Sequence, residues 1–232
     1  IISTKFEHHA VLHTLNKLEK EGFEITLIDV NENGVVKAED VEKAIREDTA
    51  LVTVMFANNE IGTVQPIAEI GEICRNKGVI FHTDAVQAAG HIAIDVEALK
   101  VDMLSVSAHK FHGPKGVGFL YCRKGIYLRN LIEGGAQERG KRAGTENLPG
   151  IAGMTAAMKE AVENADPDHL VLMLTPEIGI EGLEKIPHSR VNGDKEKRLP
   201  GNVNICFEGI EGENNVAIIE NRAAKRYTLE QP

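Results

Sequence analysis

The stretch ALVTVMFANNE (residues 50–60) is a nearly unbroken apolar run that ends in two asparagines and a glutamate. A strand that is apolar on both faces is typical of a parallel sheet covered by helices. Three more runs of strand character follow along the chain: VIFHTD (79–84), VDMLSVSA (101–108) and GVGFLYCR (116–123). Segments with helical spacing alternate with the runs: EHHAVLHTLNKLEKEG (7–22), KAEDVEKAIRED (37–48) and QPIAEIGEICRNKG (65–78). This alternation predicts an α/β fold with a mainly parallel sheet flanked by helices.

The composition is that of an ordinary soluble domain, with 42% hydrophobic and 26% charged residues among 232. The net charge of -9 disfavours nucleic acid as a main partner. We expect no membrane partner, because no run approaches the roughly 18 apolar residues of a spanning helix and no signal peptide opens the chain. The three cysteines are far apart and odd in number, which favours a reducing, cytoplasmic location over a disulfide framework.

Two domains are predicted. The helical pattern LPGIAGMTAAMKEAVENA (148–165) is broken by NADPD (164–168), which we interpret as a linker between residues 1–163 and 164–232. The opening IISTKFEHH indicates a strand that runs into a helix, so we expect the first domain to lack an N-terminal part. Beyond the linker, a helix (177–186) and a strand (201–210) predict a partial α+β domain.

Polar side chains follow three consecutive predicted strands. In open α/β sheets, ligands bind beyond the carboxyl ends of the strands. The sequence therefore predicts a site at that edge. Its candidate residues are Asn58, Asn59, Glu60, His82, Asp84, Gln87, Ser105, Ser107, His109 and Lys110.

Lys110 is either a solvated loop lysine or a reactive amine. It follows a buried strand, and a lysine partly removed from water is a suitable nucleophile for a Schiff base. Pyridoxal phosphate chemistry needs such a lysine together with a carboxylate at the pyridinium nitrogen. Asp84 is a strand-end carboxylate of the right kind, although a helix N-cap is the commoner role for an aspartate in that place.

Two further motifs have competing interpretations. His9 and His13 have the spacing of a metal-binding pair, but no third ligand follows, so we expect no metal site. The loop EGGAQERGKRAGTEN (133–147) is either a solvated loop or an anion-binding loop in which Arg139, Arg142 and Thr145 meet a phosphate. It lacks the order of a P-loop, and GPKGVG (113–118) is interpreted as a tight turn.

Five segments carry a resemblance to a known family. They are EHHAVL (7–12), ANNEIGTVQPI (57–67), FHTDAVQAAG (81–90), DMLSVSAHKFHGPKGVGFLY (102–121) and GGAQERGKRAGTEN (134–147). In these segments the chain resembles the NifS/IscS-like cysteine desulfurases, which are class V aminotransferases of fold-type I that use pyridoxal 5'-phosphate. The resemblance implies a large cofactor-binding domain followed by a small domain.

The resemblance also implies the roles of individual residues. Lys110 would bind the cofactor covalently and His8 would stack on its ring, so these two are the catalytic candidates. Asp84 would pair with the ring nitrogen and Gln87 with the phenolic oxygen. The other implied cofactor contacts are Asn59 at the ring, Ser107 and His109 at the phosphate, and Thr145 at the phosphate of the neighbouring subunit.

The implied reaction converts L-cysteine to L-alanine and passes the sulfur as a persulfide to a mobile cysteine. The implied partners are a second copy of the chain and an iron–sulfur scaffold or other sulfur-acceptor protein. The family's phosphate-binding Gly-Thr segment and its sulfur-accepting loop have no counterpart here. We place Cys74 on a helix and Cys122 and Cys206 in strands, so none is assigned a catalytic role and we expect weak sulfide release.

Two alternatives stay open. Lys110 and Asp84 serve a selenocysteine lyase or another β-lyase equally well. The other alternative is a non-catalytic scaffold that keeps the fold. Such a scaffold has no use for a set of residues like Lys110, Asp84, Gln87 and His8.

Overall fold

The computed structural model describes residues 1–163 and 180–208. A six-stranded sheet in the order β2-β1-β3-β4-β5-β6 forms the centre of the first range. The strands β1 to β5 are parallel, and β6 runs antiparallel to β5. The mainly parallel sheet of the prediction is thus confirmed. The strands are β1 (Ile2–Thr4), β2 (Thr26–Ile28), β3 (Leu51–Thr53), β4 (Ile80–Asp84), β5 (Met103–Ser107) and β6 (Gly118–Cys122).

Helices connect β1 to β4, as the alternation predicts, whereas residues 85–102 lead from β4 to β5 without a helix. Pro66 stands at the N-cap of α3, and Gly78 ends that helix with φ at 70°, a conformation that glycine adopts without strain. The predicted helix over 37–48 is shorter in the structure. The helices are α1 (His9–Lys20), α2 (Ala38–Ala44), α3 (Ile67–Lys77), a short helical turn α4 (Gln137–Gly140), α5 (Leu148–Glu163) and α6 (Ile180–Leu183), together with a 3-10 turn (Ala108–Phe111).

The core lies between the sheet and these helices. Val52 and Phe81 of the central strands have no exposed surface. Ile70 of α3 is equally buried, and Met158 of α5 packs against the same cluster. Each large apolar side chain that is removed from water contributes about 1.5–3 kcal/mol, so the core anchors the strands whose ends carry the polar residues.

The pairing of β3 with β4 continues beyond Thr53. The amide of Val54 donates to the carbonyl oxygen of His82 at 3.2 Å, and that of Phe56 donates to the carbonyl oxygen of Asp84 at 2.8 Å. On the other side of β4, the amide of Ala85 donates to the carbonyl oxygen of Ser105 at 3.0 Å. The predicted strand over 50–57 is therefore extended chain for most of its length, and its end meets those of β4 and β5 at one edge.

A second, two-stranded sheet is formed by β7 (Ser189–Asn192) and β8 (Asn204–Phe207), which are antiparallel. The predicted strand near 201–210 is β8, and the predicted helix near 177–186 is the short α6. The proposed linker NADPD and the segment 209–232 lie outside the described residues, so the domain boundary stays a prediction. Within residues 1–163 and 180–208, no helix combines the length and the apolar character that crossing a bilayer requires.

Candidate active site

A cavity of about 400 Å³ opens at the carboxyl edge of β3, β4 and β5. That volume lies in the range of small-molecule sites. Residues from the ends of all three strands and from the start of α1 line it, so the strand-end rule located the cavity correctly. Seven of the eight residues to which the resemblance assigns a role line it: His8, Asn59, Asp84, Gln87, Ser107, His109 and Lys110. Ala10, Met55, Ala57 and Val86 complete the lining, whereas the strand-end candidates Asn58, Glu60, His82 and Ser105 are not part of it.

Lys110 lies in the 3-10 turn that follows β5 directly. The turn is held by the amide of Ala108, which donates to the carbonyl oxygen of Val117 at 3.0 Å, and by His112, which ends it with φ at 65°. The ring Nε2 of His91 lies 2.9 Å from the carbonyl oxygen of Lys110. The side chain of Lys110 is half-buried and reaches the cavity rather than open solvent.

Asp84 is the last residue of β4. Its Oδ1 accepts the backbone N–H of Val86 at 3.0 Å, a capping bond on a turn. No helix begins there, so the helix N-cap of the alternative interpretation is wrong. The side chain nevertheless lines the cavity, so capping and cavity lining coexist. Gln87 lines the cavity from the turn that follows, in agreement with the expectation that the two side chains share one crevice.

His8 is the N-cap of α1, and its Nδ1 accepts the backbone N–H of Ala10 at 3.1 Å. Because Nδ1 accepts this bond, a neutral ring carries its proton on Nε2. On a neighbouring wall of the cavity, Ser107 Oγ and His109 Nδ1 lie 3.0 Å apart. These contacts fix the orientation of both imidazole rings.

Thr145 does not line the cavity. It is exposed in the loop between α4 and α5, as is Arg142, and Arg139 is exposed in α4. Arg142 Nη1 donates to the carbonyl oxygen of Gly144 at 3.3 Å. The predicted lending of Thr145 to a neighbouring subunit requires such an exposed position, and it stays a prediction.

The sequence interpretation missed Glu7. The residue is 6% exposed, and its Oε1 accepts bonds from the Met55 amide at 2.8 Å and from Thr4 Oγ1 at 3.0 Å. Burial raises the pKa of its carboxyl group to about 7, and the nearby charge of Asp84 adds to that effect. The only sequence signal was its place directly before His8.

His82 lies two residues before Asp84 on the same face of β4. Its Nδ1 lies 2.8 Å from Thr53 Oγ1, and its Nε2 lies 2.8 Å from Ser105 Oγ. Burial lowers the pKa of His82. These contacts join β3, β4 and β5 just before the strand ends that line the cavity.

The cysteines lie where the sequence indicated. Cys74 is buried in α3, where burial raises the pKa of its thiol to about 12, while Cys122 ends β6 and Cys206 lies within β8. All three are free thiols, and none lines the cavity. In the described part of the chain, no cluster of three or more His, Cys, Asp or Glu side chains could hold a metal ion.

An amine, a carboxylate, amides and imidazoles surround one cavity at the strand ends of an α/β fold. The class-V aminotransferase family matches residues 1–225, and the chain belongs to this family. Class-V aminotransferases depend on pyridoxal phosphate, so the predicted enzyme class and cofactor are confirmed at the level of the family.

Individual relatives show which members of the family this chain resembles. "Cysteine desulfurase IscS" from Clostridium botulinum (strain Hall) is 56% identical over 216 residues, which are 92% of this chain and 54% of the relative. "Cysteine desulfurase IscS" from Methanosarcina thermophila is 51% identical over 94% of this chain and 54% of its own length. The chain spans about half the length of the curated relatives it matches.

Solved structures agree with the sequence relatives. A "NIFS-LIKE PROTEIN" superposes with a TM-score of 0.90 at 42% identity, over 95% of this chain and 61% of that one. A structure titled "SspA in complex with cysteine" superposes with a TM-score of 0.77 at 36% identity, over 99% of this chain and 61% of that one. The predicted resemblance to NifS/IscS-like cysteine desulfurases is confirmed.

Proposed function

We propose that this chain is the pyridoxal-phosphate-binding part of a cysteine desulfurase that converts L-cysteine to L-alanine. The observation that carries the proposal is that Lys110 and Asp84 line one cavity at the strand ends. The residues fit the cofactor, because the cavity offers an amine for its carbonyl carbon and a carboxylate for its ring nitrogen. When bound, pyridoxal phosphate supplies an electron sink for bonds at the substrate's α-carbon.

Each side chain has a proposed role. Lys110 would hold the cofactor covalently and move protons at its Nζ, and Asp84 would accept a hydrogen bond from the protonated ring nitrogen and keep it protonated. His8 stacks on the ring, and Gln87 donates to the phenolic oxygen. The remaining proposed contacts are Asn59 at the ring, Ser107 and His109 at the phosphate, and Thr145 at the phosphate of a partner copy.

The substrate and partners belong to the same proposal. The relative whose structure is titled as a complex with cysteine supports L-cysteine as the substrate. We also propose a homodimer that delivers sulfur to an iron–sulfur scaffold or another acceptor. The relatives' printed name, cysteine desulfurase IscS, supports the desulfurase reaction of this proposal. Three free thiols suit a reducing, cytoplasmic location. We assign no sulfur-accepting cysteine among the described residues.

The decisive experiment is a titration of the protein with pyridoxal phosphate, followed by borohydride reduction and peptide mapping. A visible absorbance band and a reduced adduct on Lys110 are expected. Lys110→Ala should remove both, whereas Lys115→Ala, which alters an exposed lysine of the next turn, should remove neither. A wild-type protein without a band would refute cofactor binding and favour the non-catalytic scaffold.

The choice among related reactions needs product analysis. Purified protein loaded with pyridoxal phosphate is incubated separately with cysteine, selenocysteine and cysteine sulfinate, and alanine is measured. Preference for cysteine supports the desulfurase, and preference for selenocysteine supports the alternative lyase. We expect slow turnover of cysteine, and robust persulfide transfer by these 232 residues would contradict that expectation.

A further inference from the structure

The loop 58–63, which we call the asparagine loop, carries Asn59 from the end of β3 into the cavity wall. Three successive carbonyl oxygens of this loop accept side-chain bonds from one short segment before and at the start of β8. Asn202 Nδ2 donates to the Asn59 oxygen at 3.4 Å, and Asn204 Nδ2 donates to the Glu60 oxygen at 3.2 Å. Arg198 Nη2 donates to the Ile61 oxygen at 3.2 Å. We call residues 194–204 the clasp.

Backbone bonds join the same two segments. The amide of Val64 donates to the Lys197 oxygen at 2.9 Å, and the amide of Leu199 donates to the Gly62 oxygen at 2.8 Å. Gly62 has φ at 74°, and a Cβ there would lie 2.7 Å from Asn202 Oδ1. A side chain at position 62 would therefore displace the side chain of Asn202, so the two segments pack closely at Gly62.

Arg198 organises the clasp itself. Its guanidinium is half-buried and donates to three backbone oxygens, those of Ile61, Asp194 and Asn202. Among the described residues, no carboxylate comes within ion-pair distance of it. This charge orders backbone, because every hydrogen bond that it makes to the described residues goes to a carbonyl oxygen.

The asparagine loop is held from its other side as well. Asn58 Nδ2 donates to the Phe6 oxygen at 3.1 Å, and its Oδ1 accepts the amides of Glu60 and Ile61 at 2.9 and 3.0 Å. Asn59 thus lies between Asn58, which is bonded to Phe6, and the clasp. A shift of the clasp would move the backbone of Asn59 directly.

We propose that Arg198, Asn202 and Asn204 are positioning residues that act on the bound cofactor through Asn59. The inference rests on the proposed function, because it assigns Asn59 a contact with pyridoxal phosphate. The inference adds that the hydrogen bonding of the clasp and the binding of pyridoxal phosphate are energetically coupled. Each of the two then affects the other by the same free energy. Filling the cavity should therefore stabilise the bonds between the asparagine loop and the clasp.

A double-mutant cycle tests the path through Asn59. Pyridoxal phosphate affinity is measured for the wild type, Asn59→Ala, Asn204→Ala and the double variant. The Asn204 side chain makes two hydrogen bonds, because its Oδ1 also accepts from Asn192 Nδ2 at 2.8 Å. We expect Asn204→Ala to weaken binding about fivefold, in keeping with the loss of the bond that reaches the asparagine loop. In the Asn59→Ala background the same change should have almost no effect, because the positioned side chain is absent. Glu196→Ala alters an exposed clasp residue and should bind like the wild type.

Amide hydrogen exchange provides a second readout that does not depend on substitutions in the clasp. Pyridoxal phosphate should slow exchange at Val64 and Leu199 in the wild type at least threefold, and it should not do so in Asn59→Ala. A clasp that only stabilises the fold would give additive affinity losses and ligand-independent exchange. If the wild type binds no pyridoxal phosphate, the proposed function falls and this inference falls with it. If the wild type binds but the effects are additive and exchange is unchanged, only this inference is overturned.

Discussion

Glu7 Oε1 accepts the backbone N–H of Met55 at 2.8 Å, which fastens the residue beside His8 to the end of the strand that leads to Asn59. Glu7 Oε2 is buried and has no hydrogen-bond partner. An ionised carboxylate with one unsatisfied oxygen is costly to bury, so the folded protein favours the protonated form. The first prediction concerns the pH dependence that follows.

The pKa of Glu7 is raised from 4.5 to about 7 in the folded state. The native protein therefore holds a proton that the unfolded chain has released, so this stability contribution is full below pH 4.5. The contribution is lost as the pH rises from 4.5 to about 7, and above that pH Glu7 no longer changes the unfolding free energy. In urea denaturation at pH 5 and pH 8, the unfolding free energy of the wild type should fall by roughly 2–3 kcal/mol more than that of Glu7→Gln. Parallel pH profiles would contradict the assignment.

The second prediction concerns His82, whose pKa is lowered by burial. The folded state binds the proton less well than the unfolded chain, so this contribution is present above pH 6.5 and is lost as the pH falls. His82→Gln should flatten that acid-side loss relative to the wild type. It should also cost about 1–2 kcal/mol at pH 8, because the hydroxyls of Thr53 and Ser105 lose their partner. His13→Gln, at an exposed position of α1, is the control and should leave the profile unchanged.

The edge of the sheet and most of the candidate site could be predicted because their signals are local. A buried parallel strand has a recognisable apolar run, and the polar residues directly after it must lie at the strand end. Lys110 and Asp84 follow from that rule alone. The antiparallel direction of β6 could not be predicted in this way, because a short apolar run looks the same in either direction.

The long-range contacts that support the candidate site have no local signal in the sequence. Arg198 meets Ile61 across 137 positions of the chain, and Glu7 meets Met55 across 48. Neither the spacing of residues nor the composition of a segment predicts such pairs, because these hydrogen bonds form only when the chain has folded. Strand ends were also misjudged by a few residues, since Gly116 and Val117 precede β6 without joining it.

The third prediction separates the charge of Asp84 from its capping bond. Asp84→Asn keeps an oxygen that can accept the Val86 amide, so the fold should be retained. It removes the negative charge at the ring nitrogen, and the affinity for pyridoxal phosphate should fall about 10- to 100-fold. Asp95→Asn is the matched control, because Asp95 Oδ1 caps the amides of Glu97 and Ala98 outside the cavity. Equal affinities of both variants would argue against the role of Asp84.

The fourth prediction tests the packing behind Lys110. Gly90 has φ at 82°, and a Cβ there would lie 2.7 Å from the Cβ of Phe111, which follows Lys110 and is 1% exposed. Gly90→Ala should therefore lower the unfolding free energy by about 2–5 kcal/mol, combining backbone strain with overpacking. It should also weaken pyridoxal phosphate binding, because a displaced Phe111 moves the turn that carries Lys110.

Gly78→Ala is the matched control for that change. Gly78 has φ at 70°, and a Cβ there would meet no atom within 4 Å. Only the backbone strain of about 1–2 kcal/mol applies to it, and cofactor affinity should be unchanged. Urea denaturation and a pyridoxal phosphate titration of the two variants measure both quantities. Equal losses of stability would mean that Phe111 yields to the added methyl group without strain, and the turn holding Lys110 would then not depend on a glycine at position 90.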